Sequence, residues 1–87
     1  MRSVQPDRAL ALIRASGADG RLLITQVAEE RLRKRGVSLR DIRLVLADAK
    51  ECKAQKDGSW KVKGRDLDGE ELALTVSIAP RGNVVVL

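Results

Sequence analysis

Few side chains in this sequence can do chemistry. It contains no His and no Tyr, one cysteine (Cys52) and one aromatic residue, Trp60. Ser–His and Cys–His nucleophile pairs are therefore excluded, and the commonest general acid–base residue is missing. Without histidine, and with one cysteine, the usual zinc ligand sets cannot be assembled. A single aromatic cannot form a stacking platform for unpaired bases. Lysine, arginine, carboxylates, hydroxyls and the backbone remain. Of these, the cations are the most conspicuous. Lys plus Arg outnumber Asp plus Glu by 17 to 12, and residues 50–65 alone hold Lys50, Lys53, Lys56, Lys61, Lys63 and Arg65 against Glu51 and Asp57. Clustered cations suit a polyanion, because each phosphate they neutralise releases a counterion. The same charge also suits a domain that uses it only to remain in solution.

The chain must fold so as to present those cations. Its 87 residues, 44% hydrophobic, allow one domain across 1–87. No apolar run approaches a membrane span, and Met1-Arg2-Ser3-Val4 lacks the apolar stretch of a signal peptide, so a cytoplasmic protein without a membrane partner is expected. Pro6 suits a first helical turn, and Ala9, Leu10, Leu12 and Ile13 recur at helical spacing as far as Ser16-Gly17. After the short apolar segment Leu22-Leu23-Ile24, Thr25 is a good N-cap for a second helix at about 26–35. That helix turns Val27, Ala28 and Leu32 inward and stops at Gly36. Ser38 with Asp41 forms a capping-box pattern for a third helix carrying Leu39, Ile42, Val45, Leu46 and Ala49.

After residue 49 the period changes to two. Cys52/Ala54, Trp60/Val62, Leu72/Leu74/Val76/Ile78 and Val84–Leu87 read as strands, with turns at Asp57-Gly58, Asp68-Gly69 and Arg81-Gly82-Asn83. The expected fold class is α+β: three helices packed on one face of a four-stranded antiparallel β-meander. The first hairpin fixes a register. A two-residue loop would mix apolar and polar residues on both faces. A three-residue loop, Lys56-Asp57-Gly58, with Gly58 left-handed, pairs Ala54 with Trp60 and Cys52 with Val62. Glu51, Lys53, Lys61 and Lys63 then share the outer face with Ala73, Thr75 and Ser77. A ladder of like charges lowers lysine pKa values in general, which brings such a group toward acid–base use. Val84–Leu87 would pair with a partner chain if it lay at a sheet edge.

The stretch Thr25–Ser38 resembles a motif of a small bacterial domain family related to MqsR and, more loosely, RelE. Its helix reads His-Ala-x-x-Arg-x-x-x-Arg-Gly-(Ile/Val)-(Ser/Thr), and Ala28, Arg31, Arg35, Gly36, Val37 and Ser38 match it. The wider likeness is one of element order: a leading helix, a helix pair, a strand bearing Trp60 and two closing apolar strands. The resemblance implies an MqsR/RelE-like fold and an mRNA-cleaving toxin that acts on RNA or at the ribosome, silenced by an antitoxin protein. The motif His is Val27 here, Lys61 stands where MqsR-type chains have Gln after the Trp, and the Tyr of the next strand falls near Leu72 or Ala73. A catalytic set would then be Lys53, Lys61 and Lys63 as acid and base, with Arg65, Lys56 and Arg35 holding RNA phosphates and neither cofactor nor metal. The competing reading is a member without chemistry that binds nucleic acid or protein, its lysines a solvated stripe. For Arg31, a structural bridge to Asp41 or to the acidic loop 66–71 is expected. Arg33, Lys34, Arg40 and Arg43 read as surface charge, and Trp60 and Cys52 as core.

Overall fold

The computed structural model describes residues 5–87; Met1–Val4, read above for a signal peptide, lie outside the described residues. Its elements are α1 (Pro6–Asp19), β1 (Leu22–Ile24), α2 (Gln26–Lys34), α3 (Leu39–Ala47), β2 (Glu51–Ala54), β3 (Trp60–Arg65), β4 (Glu71–Ile78) and β5 (Val84–Val86). The class is α+β, but the sheet is not a four-stranded antiparallel meander. It has five strands in the order β1-β5-β4-β3-β2, and β1 runs parallel to β5. The extra strand is Leu22-Leu23-Ile24, whose three residues pair with Val84, Val85 and Val86. Val84–Val86 is therefore an interior strand, between β1 and β4, so the edge position on which its pairing with a partner chain depended is not met. The free edges belong to β1 and β2.

Three hairpins share one construction. In each, residue i accepts from a glycine at i+3 and donates to the carbonyl at i+4: Gln55 with Gly58 and Ser59, Asp66 with Gly69 and Glu70, Ala79 with Gly82 and Asn83. Each glycine is left-handed, with φ of 89°, 79° and 90°. This is the three-residue loop expected for the first hairpin, and it sets Cys52 opposite Val62 and Ala54 opposite Trp60.

That parity divides the sheet into two faces. Trp60, Val62, Leu72, Leu74 and Val76 point inward and are buried, together with Val84 and Val86 from β5. Over them lie Ala9 and Ile13 of α1, Ala28 and Leu32 of α2, and Ile42, Val45 and Leu46 of α3. Val27, expected inward, is 71% exposed, and Leu39 of the α3 apolar pattern is 56% exposed. Val27 is one position off the buried Ala28–Leu32 stripe of α2, and Leu39 is the first residue of α3, a turn before Ile42, where burial begins.

Helix α3 packs backbone to backbone against α1 and β3, and glycines permit it. A Cβ on Gly64 of β3 would lie 2.5 Å from the Val45 carbonyl oxygen, and one on Gly17 of α1 would lie 2.5 Å from that of Arg43 and collide with the Ala47 nitrogen. Gly17, read above as a helix end, is thus a buried interior residue of α1. The helix continues to Asp19 and ends at Gly20, which is left-handed (φ 77°) and donates to the Ser16 carbonyl. Arg43 of α3 is not plain surface charge. Its guanidinium donates to the carbonyls of Gly17 (3.2 Å) and Ala18 (3.0 Å), placing a cation at the negative end of α1.

The start of α3 is held as firmly. Ser38 and Asp41 form a reciprocal capping box, and the second carboxylate oxygen of Asp41 accepts the Leu67 N–H at 3.0 Å. One side chain thereby ties the helix to the β3–β4 loop. Arg31, expected to bridge to Asp41 or that loop, instead donates to the backbone oxygen of Leu87 at 2.6 Å. These backbone bonds from Ser38, then Leu67, hold the Asp41 carboxyl below the usual range. Asp57 is lowered as well, by the Ser59 hydroxyl and then the Ser59 N–H.

The two close glycines should be the least replaceable. We expect Gly64→Ala and Gly17→Ala each to lose about 2–3 kcal/mol in urea unfolding, since backbone must move to admit the methyl. Gly36→Ala should lose only about 1 kcal/mol, as its left-handed position faces open space. For the acidic caps the sign follows from their lowered pKa values. Their stabilisation is complete above the unfolded carboxylate value near 3.9 and is lost as pH falls through the folded values. Urea midpoints measured from about pH 5 downward should therefore drop, and the drop should be shallower in Asp41→Asn.

Candidate nucleic-acid interface

The outer face of the sheet collects the odd-numbered residues of β2, β3 and β4. Reading across strands, Glu51 opposes Lys63, Lys53 opposes Lys61, and Arg65 opposes Glu71. Lys63 and Lys61 continue onto Ala73 and Thr75 of β4. Two of these charged pairs bring opposite signs together, as cross-strand neighbours should. The third sets two lysines against each other, their Cα atoms about 4.5–5.5 Å apart as in any antiparallel pair. Lys53, Lys61 and Lys63 are all exposed, and with Glu51 and Cys52 they line a cleft of about 470 Å³ at the β2 edge. Among the described residues none of the three lysines is within ion-pair distance of a carboxylate; the ion pairs found there are Arg33–Glu29 and Lys50–Asp48.

The structure therefore brings Lys53, Lys61 and Lys63 together, and it separates the other candidates. Arg65 stands on the same face but donates to the Gly69 carbonyl at 2.8 Å, closing its own hairpin. Lys56 is exposed at the tip of the β2–β3 loop. Arg35 caps the C-terminal end of α2, in the helical layer and away from the lysine strands. The face also carries what a four-stranded sheet could not have shown. By register Leu23 lies beside Val85, and Val85 beside Ser77. The outer surface thus grades from apolar at β1 and β5, through hydroxyls at Thr75 and Ser77, to basic at β3 and β2.

The remaining sequence candidates have structural employment. Trp60 is buried beneath the helices, so the outer face offers no aromatic ring. Cys52 is half-buried under the start of α1, its thiol 3.6 Å from the Pro6 carbonyl; burial, then the nearby charge of Asp7, push its pKa up and make it a poor nucleophile. Asp66 accepts the N–H groups of Asp68 and Glu70, which organises the acidic loop as a turn.

What this arrangement can do is hold anions at a surface. Lysine ammonium groups on an open sheet face act as mobile point charges, while small neighbours keep access to them clear. No protein-family model matches the chain, and no curated protein matches it.

The like-charged pair carries a measurable penalty. Replacing Lys61 by Thr should raise stability by about 0.5 kcal/mol at low salt, and the gain should shrink as salt screens the wild-type repulsion. Lys63→Thr, which removes the lysine facing Glu51, should give no such gain. Urea unfolding at two ionic strengths separates the two cases.

Proposed function

We propose that the domain binds RNA through the outer face of its sheet, with Lys53, Lys61 and Lys63 contacting consecutive phosphates and Lys56 extending the contact at the hairpin tip. The observation that carries this reading is the Lys53–Lys61 pair. Two lysines held face to face weaken the sheet, and an anion lying over both offsets that repulsion. Thr75, opposite Lys61, and Ser77, two residues further along β4, offer hydroxyl partners to ribose. With Trp60 buried, the face reads backbone charge and not base identity, so binding is sequence-tolerant and steeply salt-dependent. A cytoplasmic setting agrees with an RNA partner and a lone thiol.

Binding is the reading the geometry supports over cleavage, because the three lysines are exposed and their cleft opens to water along the β2 edge. In a toxin-like role the ribosome would have to enclose the reacting phosphate, and an antitoxin would cover the same lysines.

The test is fluorescence anisotropy with a labelled RNA of about 16 nucleotides. Affinity should fall with salt, with a log–log slope of about −0.7 per phosphate contact for a single strand. Lys53→Ala, Lys61→Ala and Lys63→Ala should each reduce that slope by nearly one contact and weaken binding several-fold. Equal binding by the Lys53→Ala/Lys61→Ala double variant would remove the proposal. Running the recovered RNA on a gel decides the chemistry: intact RNA makes this a binding module, whereas cuts lost in Lys61→Ala would make it a ribonuclease.

A further inference from the structure

A second cleft lies away from the lysines, between α1 and the β4–β5 hairpin. It has a volume of about 740 Å³, within the range of small-molecule sites. Arg8, Asp19, Arg21 and Arg81 stand around it, and Leu12, Ile78 and Pro80 contribute apolar surface. Among the described residues none of the three arginines is within ion-pair distance of a carboxylate, although Asp19 lines the same cleft. Asp19 accepts the backbone N–H of Arg21 at 2.8 Å through one oxygen.

Helix stability does not explain these charges. Arg8 lies in the first turn of α1 and Asp19 is its last residue. Each opposes the helix dipole, which favours anions at the start and cations at the end. Both lie on the stripe of α1 that faces the cleft, as does Leu12 between them. Three guanidinium groups share the hollow with a single carboxylate, Asp19, which leaves it net positive.

We propose that this cleft binds a small phosphorylated ligand of the nucleotide class. Forked guanidinium groups match phosphate oxygens bidentately, and three of them suit more than one phosphate. Asp19 would repel a bare inorganic anion but accepts hydrogen bonds from a ligand hydroxyl, as carboxylates do from ribose. Leu12, Ile78 and Pro80 provide apolar contact for a flat base. The site is independent of the lysine face, which lies on the opposite side of the sheet from α1, and it stands or falls separately from RNA binding there.

The test is an amide-resolved NMR titration of the full chain with adenosine diphosphate, adenosine and inorganic pyrophosphate in parallel, using a 16-nucleotide RNA as a fourth arm. Adenosine diphosphate should give saturable shifts at Ala15, Gly82 and Asn83 with a Kd below about 1 mM. Adenosine and pyrophosphate should each bind about tenfold more weakly. Arg21→Gln/Arg81→Gln should weaken the diphosphate at least about tenfold while leaving the remaining spectrum unchanged, and Lys61→Ala should leave its binding intact. Should the double variant fold poorly, Arg81→Gln alone, at an exposed loop position, carries the same comparison. The proposal is overturned by absence of saturable shifts, by equal binding in the arginine variant, by pyrophosphate binding as tightly as the diphosphate, or by shifts at these amides with RNA alone.

Discussion

Every layer of this domain meets at α3, and α3 can approach its neighbours only because two of them present glycine. Gly17 lets the backbone of α1 touch that of α3 near Arg43 and Ala47, and Gly64 lets β3 pass beneath Val45. In a chain of 87 residues the core is small, so close backbone contact does much of what larger side chains do in larger proteins. The contact is then locked at both ends. Arg43 binds the last carbonyls of α1, and Asp41 joins the first turn of α3 to the β3–β4 loop. Helix, sheet and loop are therefore positioned by one nine-residue element.

Fixing the inner face leaves the outer face free to vary. Val62 and Val76 are fully buried, and each admits little change in size or polarity. Lys61, Lys63 and Thr75 alternate with them on the outer face, opposite Lys53, Glu51 and Lys61 by register. Where nothing in the core constrains a residue, repulsion between two neighbours is not forced on the fold. Opposite charges at Glu51–Lys63 and Arg65–Glu71 show what the same strands do by default. The Lys53–Lys61 pair departs from that pattern on the surface where departure is least constrained, which is why it is read in terms of a ligand.

Much of this was legible in the residues. The three-residue hairpin loop followed from side-chain parity alone, because the wrong loop length would have moved Trp60 and Val62 to the solvent face. Gathering Lys53, Lys61 and Lys63 on one face was a consequence of the same parity. Strand β1 was not legible, since three apolar residues before an N-cap carry no period, and their partner lies some sixty positions later in the chain. Gly17 misled for a related reason: glycine in a helical pattern signals an end unless a second helix lies against it, and that helix is known only in three dimensions. The inward placement of Val27 failed because the buried stripe of α2 is Ala28 and Leu32, four residues apart, and Val27 stands one position off it; Leu39, part of the apolar pattern of α3, lies a turn before Ile42, where the buried stripe begins.

The parallel β1–β5 pair also changes how the surface should be understood. In a meander ending at β5, the apolar side chains of Val85 and Leu87 would lie along an open edge. With β1 added, Val85 gains Leu23 as a lateral neighbour, and the edge passes to a strand only three residues long. Short edge strands offer few unpaired backbone groups and resist strand addition. At the opposite edge β2 is also short, and Lys53 stands on it. Both edges are thus protected against pairing with other chains, one by brevity alone and one by brevity with charge. The exposed lysines at the β2 edge accordingly serve two physical ends at once: they discourage another strand from joining the sheet, and they leave the adjoining face open to an anion.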